Sequence, residues 1–140
     1  MIIFDSKYFK EFEFRPKQTE KYWQAACRDL KTANRFDAAE VEFQFAYNAL
    51  IKLGITLISR YGYKVKSRSG HHIKILEKMA LILGDKEIES TGNKMRKKRN
   101  ADLYEGGIMM SEKEAGEYRN WLKTVFLKAE TYLFGVKKLL

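Results

Sequence analysis

The run from Ala38 to Tyr61 limits what this chain can fold into more than any other part of it. Within it Phe43, Ala46-Tyr47, Leu50, Leu53-Gly54, Leu57 and Tyr61 recur at intervals of three and four. That period puts them on one face of an α-helix and is incompatible with the two-residue alternation of a half-buried strand. Ala46, Ala49 and Gly54 are small enough to let a second helix come close. With 140 residues, 45% of them hydrophobic, the chain has enough apolar material for one domain that buries roughly two-thirds of its unfolded surface.

Helical patterns flank this run on both sides. Pro16 is placed to open a helix reaching about Asn34, marked by Tyr22, Ala25-Ala26, Asp29-Leu30 and Ala33. Asn34-Arg35-Phe36-Asp37 reads as a turn, and Asp37 with Glu40 forms a loose capping box. Tyr61-Gly62-Tyr63 through Ser69-Gly70 breaks the period, and Lys64, Lys66 and Arg68 make this loop basic. A third helix is expected from His71 to Leu83, stopped by Gly84. A fourth spans about Ile88 to Tyr104, with Thr91-Gly92-Asn93 as a possible interruption and Glu105-Gly106-Gly107 as its stop. Ser111 and Glu114 form a capping box for the last helix. Its stripe is Tyr118, Leu122, Val125, Ala129, Tyr132, Val136 and Leu139, the spacing of a bundle seam.

The predicted fold is therefore all-α, an up-and-down bundle of four to five helices over residues 17–140. Residues 1–16 form an aromatic-rich N-terminal arm, in which Phe12-Glu13-Phe14 could be a short strand or an extended segment laid across the domain.

The formal net charge of +9 favours anionic partners, unless it serves solubility alone. A lone Cys27 excludes an internal disulfide framework, and with only His71 and His72 beside it no zinc-binding spacing exists, so no metal or cofactor is expected. Met1 to Lys7 has no long apolar stretch of the secretory kind, and no uncharged apolar run approaches bilayer length, so a cytoplasmic location is expected. The glycine-rich phosphate loop, the Gly-x-Ser-x-Gly elbow and the His-Glu-x-x-His zinc motif are all missing.

The candidate chemistry lies in Lys94-Met95-Arg96-Lys97-Lys98-Arg99-Asn100-Ala101-Asp102-Leu103-Tyr104-Glu105-Gly106. Five of its first six residues are cationic, and the run leads into Arg-Asn-x-x-x-Tyr. A one-sign run of this kind, followed by a polar Arg-Asn pair and a Tyr, suits an anion site. The plainer alternative is a solvated helix end. His71 and His72 could supply a general base or a phosphate contact, or simply cap and pack their helix. Tyr61 and Tyr63, with the basic residues between 60 and 74, could stack on and neutralise nucleic acid, although aromatics at a helix end also serve a core edge.

The order of these features resembles the HEPN (higher eukaryotes and prokaryotes nucleotide-binding) domain family. The residues that carry the resemblance are Ala46-Tyr47-Asn48-Ala49, Gly70-His71-His72, Arg99-Asn100 through Tyr104, and Ser111 through Ala115, spread over Lys17 to Leu140. Many members are metal-independent ribonucleases that use an Arg and, four to six residues on, a His, paired across a homodimer. Arg99 matches the Arg, and Tyr104 stands where the His would be. A phenol with a pKa near ~10 is a poor general base at neutral pH. The resemblance thus implies binding of nucleotide or RNA in preference to cleavage, with Arg96, Lys97, Lys98 and Arg99 holding phosphates and Asn100 and Tyr104 orienting the site, and a minimal nucleotidyltransferase as partner in a toxin–antitoxin-type system. Two other readings compete: a ribonuclease in which His71 or His72 reaches Arg99, and a helical protein-interaction module without nucleotide chemistry. The seam and small-residue faces fit a homodimer or a monomeric bundle equally well.

Overall fold

A computed structural model describes residues 1–34, 38–104 and 110–135, with the side chains of 102–104 excepted. Five helices and two short strands make up the described chain: β1 (Phe9–Glu11), α1 (Pro16–Ala33), α2 (Ala39–Arg60), β2 (Tyr63–Val65), α3 (His71–Leu83), α4 (Lys86–Tyr104) and α5 (Glu112–Phe134).

α2 is the central element. It touches each of the other four helices. Phe43, Ala46, Tyr47, Leu50, Leu53 and Leu57 are all buried, and so are Ala49, Ile51 and Ile58 outside that stripe. A helix apolar on most of its circumference can be stable in water only when neighbours cover it on several sides. α1 lays Trp23, Ala26, Leu30 and Ala33 against it, and Asp29 reaches across to Lys52 at 2.7 Å. α5 contributes Leu122, Val125, Phe126 and Ala129. Between these helices Glu42 of α2, itself buried, is ion-paired with Arg119 of α5.

The helix ends follow local chemistry. Pro16 occupies the first turn of α1, and Gln18 Oε1 accepts the Arg15 backbone N–H at 2.8 Å. Asp85 Oδ1 accepts from Glu87 N at 3.0 Å, so α4 begins at Lys86, earlier than the apolar pattern from Ile88 indicates. Ser111 Oγ accepts from Glu114 N at 3.0 Å, the cap expected for α5. The turn at 34–37 with its Asp37 cap, the Glu105-Gly106-Gly107 stop, Met109, Val136 and Leu139 lie outside the described residues, apart from Asn34.

The all-α expectation needs one amendment. Phe9–Glu11 pairs antiparallel with Tyr63–Val65, in the register Phe9↔Val65, Lys10↔Lys64 and Glu11↔Tyr63. The strand in the arm is thus Phe9–Glu11, whereas Phe12 to Phe14 lie outside it with no regular secondary structure. Aromatic packing holds the pair: Phe9 is buried, and the Phe4 ring stacks on Tyr63 at 4.2 Å between centroids.

Two glycines seat α3. A Cβ at Gly54 of α2 would lie 2.3 Å from Ile75 Cγ2 and 2.7 Å from Met79 Sδ. A Cβ at Gly92 of α4 would lie 2.6 Å from Leu76 Cδ2. Gly92 therefore does not interrupt α4, which runs unbroken from Lys86 to Tyr104; it makes room for α3.

These contacts set opposite signs for two alanine substitutions. Ala is favoured over Gly by about 1 kcal/mol within a helix. At Gly116 of α5 the nearest atom to a new Cβ is Arg119 Nη2 at 3.7 Å, so Gly116→Ala is expected to stabilise. At Gly54 the stiff Ile75 side chain must move, and overpacking of this kind costs about 1–3 kcal/mol. Urea unfolding midpoints of Gly54→Ala and Gly116→Ala should shift in opposite directions. A rise for both would mean that the α2–α3 approach is looser than described.

Candidate functional site

The first turn of α3 faces the second half of α4 across an open pocket of about 490 Å³. Ser67, Arg68, Ser69 and Gly70 form one wall, His71, His72 and Ile73 the next, and Arg96, Arg99 and Asn100 the last. Three guanidinium groups and two imidazoles thus share one concavity, and no carboxylate lines it among the described residues. Cations so grouped repel one another, and an anion in the pocket would relieve that repulsion.

The basic run of α4 divides because neighbouring residues on a helix point about 100° apart. Arg96 and Arg99, three residues apart, face the pocket with Asn100. Met95 is buried, and Lys97 is exposed. Lys98 pairs with Glu114 at the start of α5, at 3.3 Å. The structure therefore brings Arg96, Arg99, Asn100, His71 and His72 together, and places Lys97 and Lys98 elsewhere on the helix. The side chain of Tyr104 lies outside the described residues.

Arg96 is steadied from behind, since its Nε donates to Asn93 Oδ1 at 3.0 Å while Asn93 Nδ2 donates to Glu89 O at 2.9 Å. This leaves the terminal nitrogens of Arg96 for a ligand. Arg99 stands over the Tyr47 ring, with Cζ 5.5 Å from its centroid, and its Nε is buried without a hydrogen-bond partner among the described residues. A guanidinium resting on an aromatic face keeps its planar fork pre-oriented for an oxyanion.

Tyr47, which the sequence marks as part of an apolar stripe and of the family resemblance but not as a site residue, belongs to the site. It is fully buried, and its hydroxyl meets His72 Nδ1 at 2.8 Å. A buried phenol proton needs an acceptor, so the hydroxyl donates to Nδ1 and the imidazole proton sits on Nε2. The available signal was a Tyr at a core position of α2, where its polar end demands a partner. Burial pushes the Tyr47 phenol up to about 12, against the opposing charges of Arg99 and Arg96. Burial, followed by the charges of His71, Arg99 and Arg96, pushes His72 down to about 4. At neutral pH His72 therefore offers the pocket a neutral N–H donor.

His71 is arranged in the opposite sense. Its Nδ1 lies 2.5 Å from the Arg68 carbonyl oxygen, which can only accept. Nδ1 therefore carries the proton, and in the neutral ring Nε2 keeps its lone pair. The two rings meet edge to face, with centroids 4.5 Å apart.

The N-terminal arm helps build the wall. Tyr8 Oη donates to Ser69 O at 3.3 Å, Arg68 Nη1 donates to Lys7 O at 3.2 Å, and Lys66 Nζ donates to Ser6 O at 2.7 Å. Gly70, with φ at +84°, turns the chain into α3 in a conformation that L side chains avoid. No family model matches this chain, and neither a curated protein nor a solved structure does.

His72 gives the protein a calculable acid response. The unfolded imidazole takes up a proton near its ordinary 6.5, whereas the folded one resists until about 4. Between those values unfolding binds a proton, so stability is full above about pH 6.5 and falls as the pH drops toward 4. His72→Gln, whose amide oxygen can still accept from Tyr47, is expected to flatten this part of the curve. Urea midpoints measured from pH 7 to 4 test it, and an equal slope in both proteins would exclude His72 as the cause.

Proposed function

We propose that this chain is a HEPN-like up-and-down bundle that holds the phosphates of a nucleotide or RNA between Arg96 and Arg99 of α4 and the histidines opening α3. The observation that carries the reading is the pocket wall: Arg68, Arg96, Arg99, His71 and His72 without a facing carboxylate among the described residues. Phosphate suits such a wall because guanidinium groups bind it bidentately and a neutral imidazole N–H can add a further bond. Asn100 supplies amide donors at the rim. The resemblance drawn from the sequence points to the same groups. Gly70-His71-His72 and Arg99-Asn100, two of its four marks, lie on the same pocket, and Tyr47, from a third, joins Arg99 to His72. In such a system a minimal nucleotidyltransferase would be the partner, and a homodimer would bring two of these pockets together.

The tautomer of His71 favours a second reading, a metal-independent ribonuclease with a displaced histidine. Its unprotonated Nε2 could take the proton of a ribose 2′-hydroxyl while that oxygen bonds to the adjacent phosphorus. The bond from phosphorus to the 5′-oxygen then breaks, and the leaving oxygen takes a proton from water. Arg99 would steady the charge on the phosphorane.

Gel retardation of a labelled mixed-sequence RNA in EDTA separates the two. The binding reading predicts intact, retarded RNA and a loss of roughly 10–100-fold in affinity for Arg99→Ala, the worth of hydrogen bonds to a charged group. Cleavage that disappears in His71→Ala would put the ribonuclease first. RNA that the wild-type protein neither retards nor cleaves, in the absence of any nucleotide binding, would exclude both.

A further inference from the structure

The β-ribbon beside the pocket carries an arrangement that the fold itself does not require. Lys10 and Lys64 stand directly opposite each other in the antiparallel register, and both are exposed. Lys66 N donates to Tyr8 O at 2.7 Å and Phe12 N donates to Gly62 O at 2.8 Å, so Lys10 and Lys64 fall on a hydrogen-bonded pair of the ladder. Their Cα atoms are then about 5.5 Å apart. Like charges in that position destabilise a sheet. The other pleat face explains itself: Phe9 is buried, and Tyr63 and Val65 pack on the core.

The basic residues continue toward the pocket at every second position. Lys64, Lys66 and Arg68 are all exposed, and Arg68 belongs to the pocket wall. Within the ladder, which reaches Lys66 through its bond to Tyr8, alternate residues lie roughly 6–7 Å apart on one side. That is comparable with the separation of successive phosphates along a single nucleic-acid strand. Lys66 and Arg68 are each tied to the arm by one bond, to the carbonyls of Ser6 and Lys7, and keep further N–H groups for a ligand. Aromatic faces border the row, since Lys64 Nζ sits 3.9 Å from the Phe12 centroid and Tyr61 is exposed at the turn from α2 into β2. Cations along a backbone, interleaved with rings for bases, characterise sequence-tolerant single-strand binding.

We propose that the ribbon face Lys10, Lys64, Lys66 and Arg68 is a second, continuous part of the site, along which a single RNA strand runs away from a phosphate held by Arg96 and Arg99. The inference rests on the phosphate reading of the pocket and goes beyond it by fixing the ligand as a strand several nucleotides long. It also gives the N-terminal arm a role, because Lys10 comes from the arm and the arm fastens the segment that bears Lys66 and Arg68.

Fluorescence anisotropy with a 12-nucleotide RNA and with adenosine 5′-monophosphate tests this, using wild type, Lys10→Gln/Lys64→Gln and Arg99→Ala. Circular dichroism confirms that each variant is folded. The 12-mer is expected to bind the wild type at least roughly tenfold tighter than the mononucleotide. Lys10→Gln/Lys64→Gln should remove most of that difference, leave the mononucleotide unchanged, and reduce the salt slope by about 1.4, two phosphate contacts at about 0.7 each. If Arg99→Ala weakens both ligands while the double variant changes neither, the pocket stands and the ribbon track is overturned. If the 12-mer depends on Lys10 and Lys64 but is indifferent to Arg99, the pocket reading fails, and with it the continuous track, leaving the ribbon as a separate RNA contact. If neither ligand binds the wild type, both fail. A polyglutamate peptide that competes as well as RNA, with the same lysine dependence, would also overturn the proposal, because the face would then serve an acidic protein.

Discussion

The close seating of α3 between Gly54 of α2 and Gly92 of α4 is the constraint on which the rest of the molecule depends. At both positions a single added methyl group would overlap side chains of α3. Ile75, Leu76 and Met79, all fully buried, fix the rotation of α3 as well as its distance. That rotation turns His71 and His72, at its first positions, toward Arg96 and Arg99. One turn of α4 separates Gly92 from Arg96, so the glycine that admits α3 and the cations that face it belong to one rigid segment. Local packing and functional geometry here share a cause.

Within that frame the site is organised by one polar contact from the core. Tyr47 sits in the central helix, and its hydroxyl ends on His72 while its ring face supports Arg99. One side chain thereby sets the tautomer of an imidazole and supports a guanidinium. The two histidines, adjacent in sequence, consequently present different chemistry: His72 offers an N–H and His71 a lone pair. Burial first, and the surrounding cations after it, hold His72 neutral, and an anion in the pocket would offset the part due to the cations.

Much of this was legible in the sequence where a long period or a local signal carried it. The stripe of α2, the Gly84 stop of α3 and the Ser111 cap of α5 each depend on residues within a few positions of one another. The β1–β2 ladder was not legible, because three-residue strands carry no measurable period and the partners lie more than fifty residues apart. Gly92 read as a possible break because propensity alone disfavours glycine in a helix; its reason is a neighbour in space. The basic run identified the right helix end, but only helical geometry separates Arg96 and Arg99 from Lys97 and Lys98. The pairing of Tyr47 with His72, across 25 residues, required the packing of α2 against α3.

The most direct measurement is a pH titration of histidine-labelled protein by ¹H–¹⁵N NMR, with and without saturating adenosine 5′-monophosphate. In the free protein His72 should hold its proton on Nε2, accept at Nδ1, and titrate at about 4. With the nucleotide bound, its Nε2–H signal should move and its pKa should rise, because a phosphate close to the ring favours the imidazolium. A free-protein value near the ordinary 6.5, or nucleotide binding that leaves His72 unmoved, would contradict the site described above.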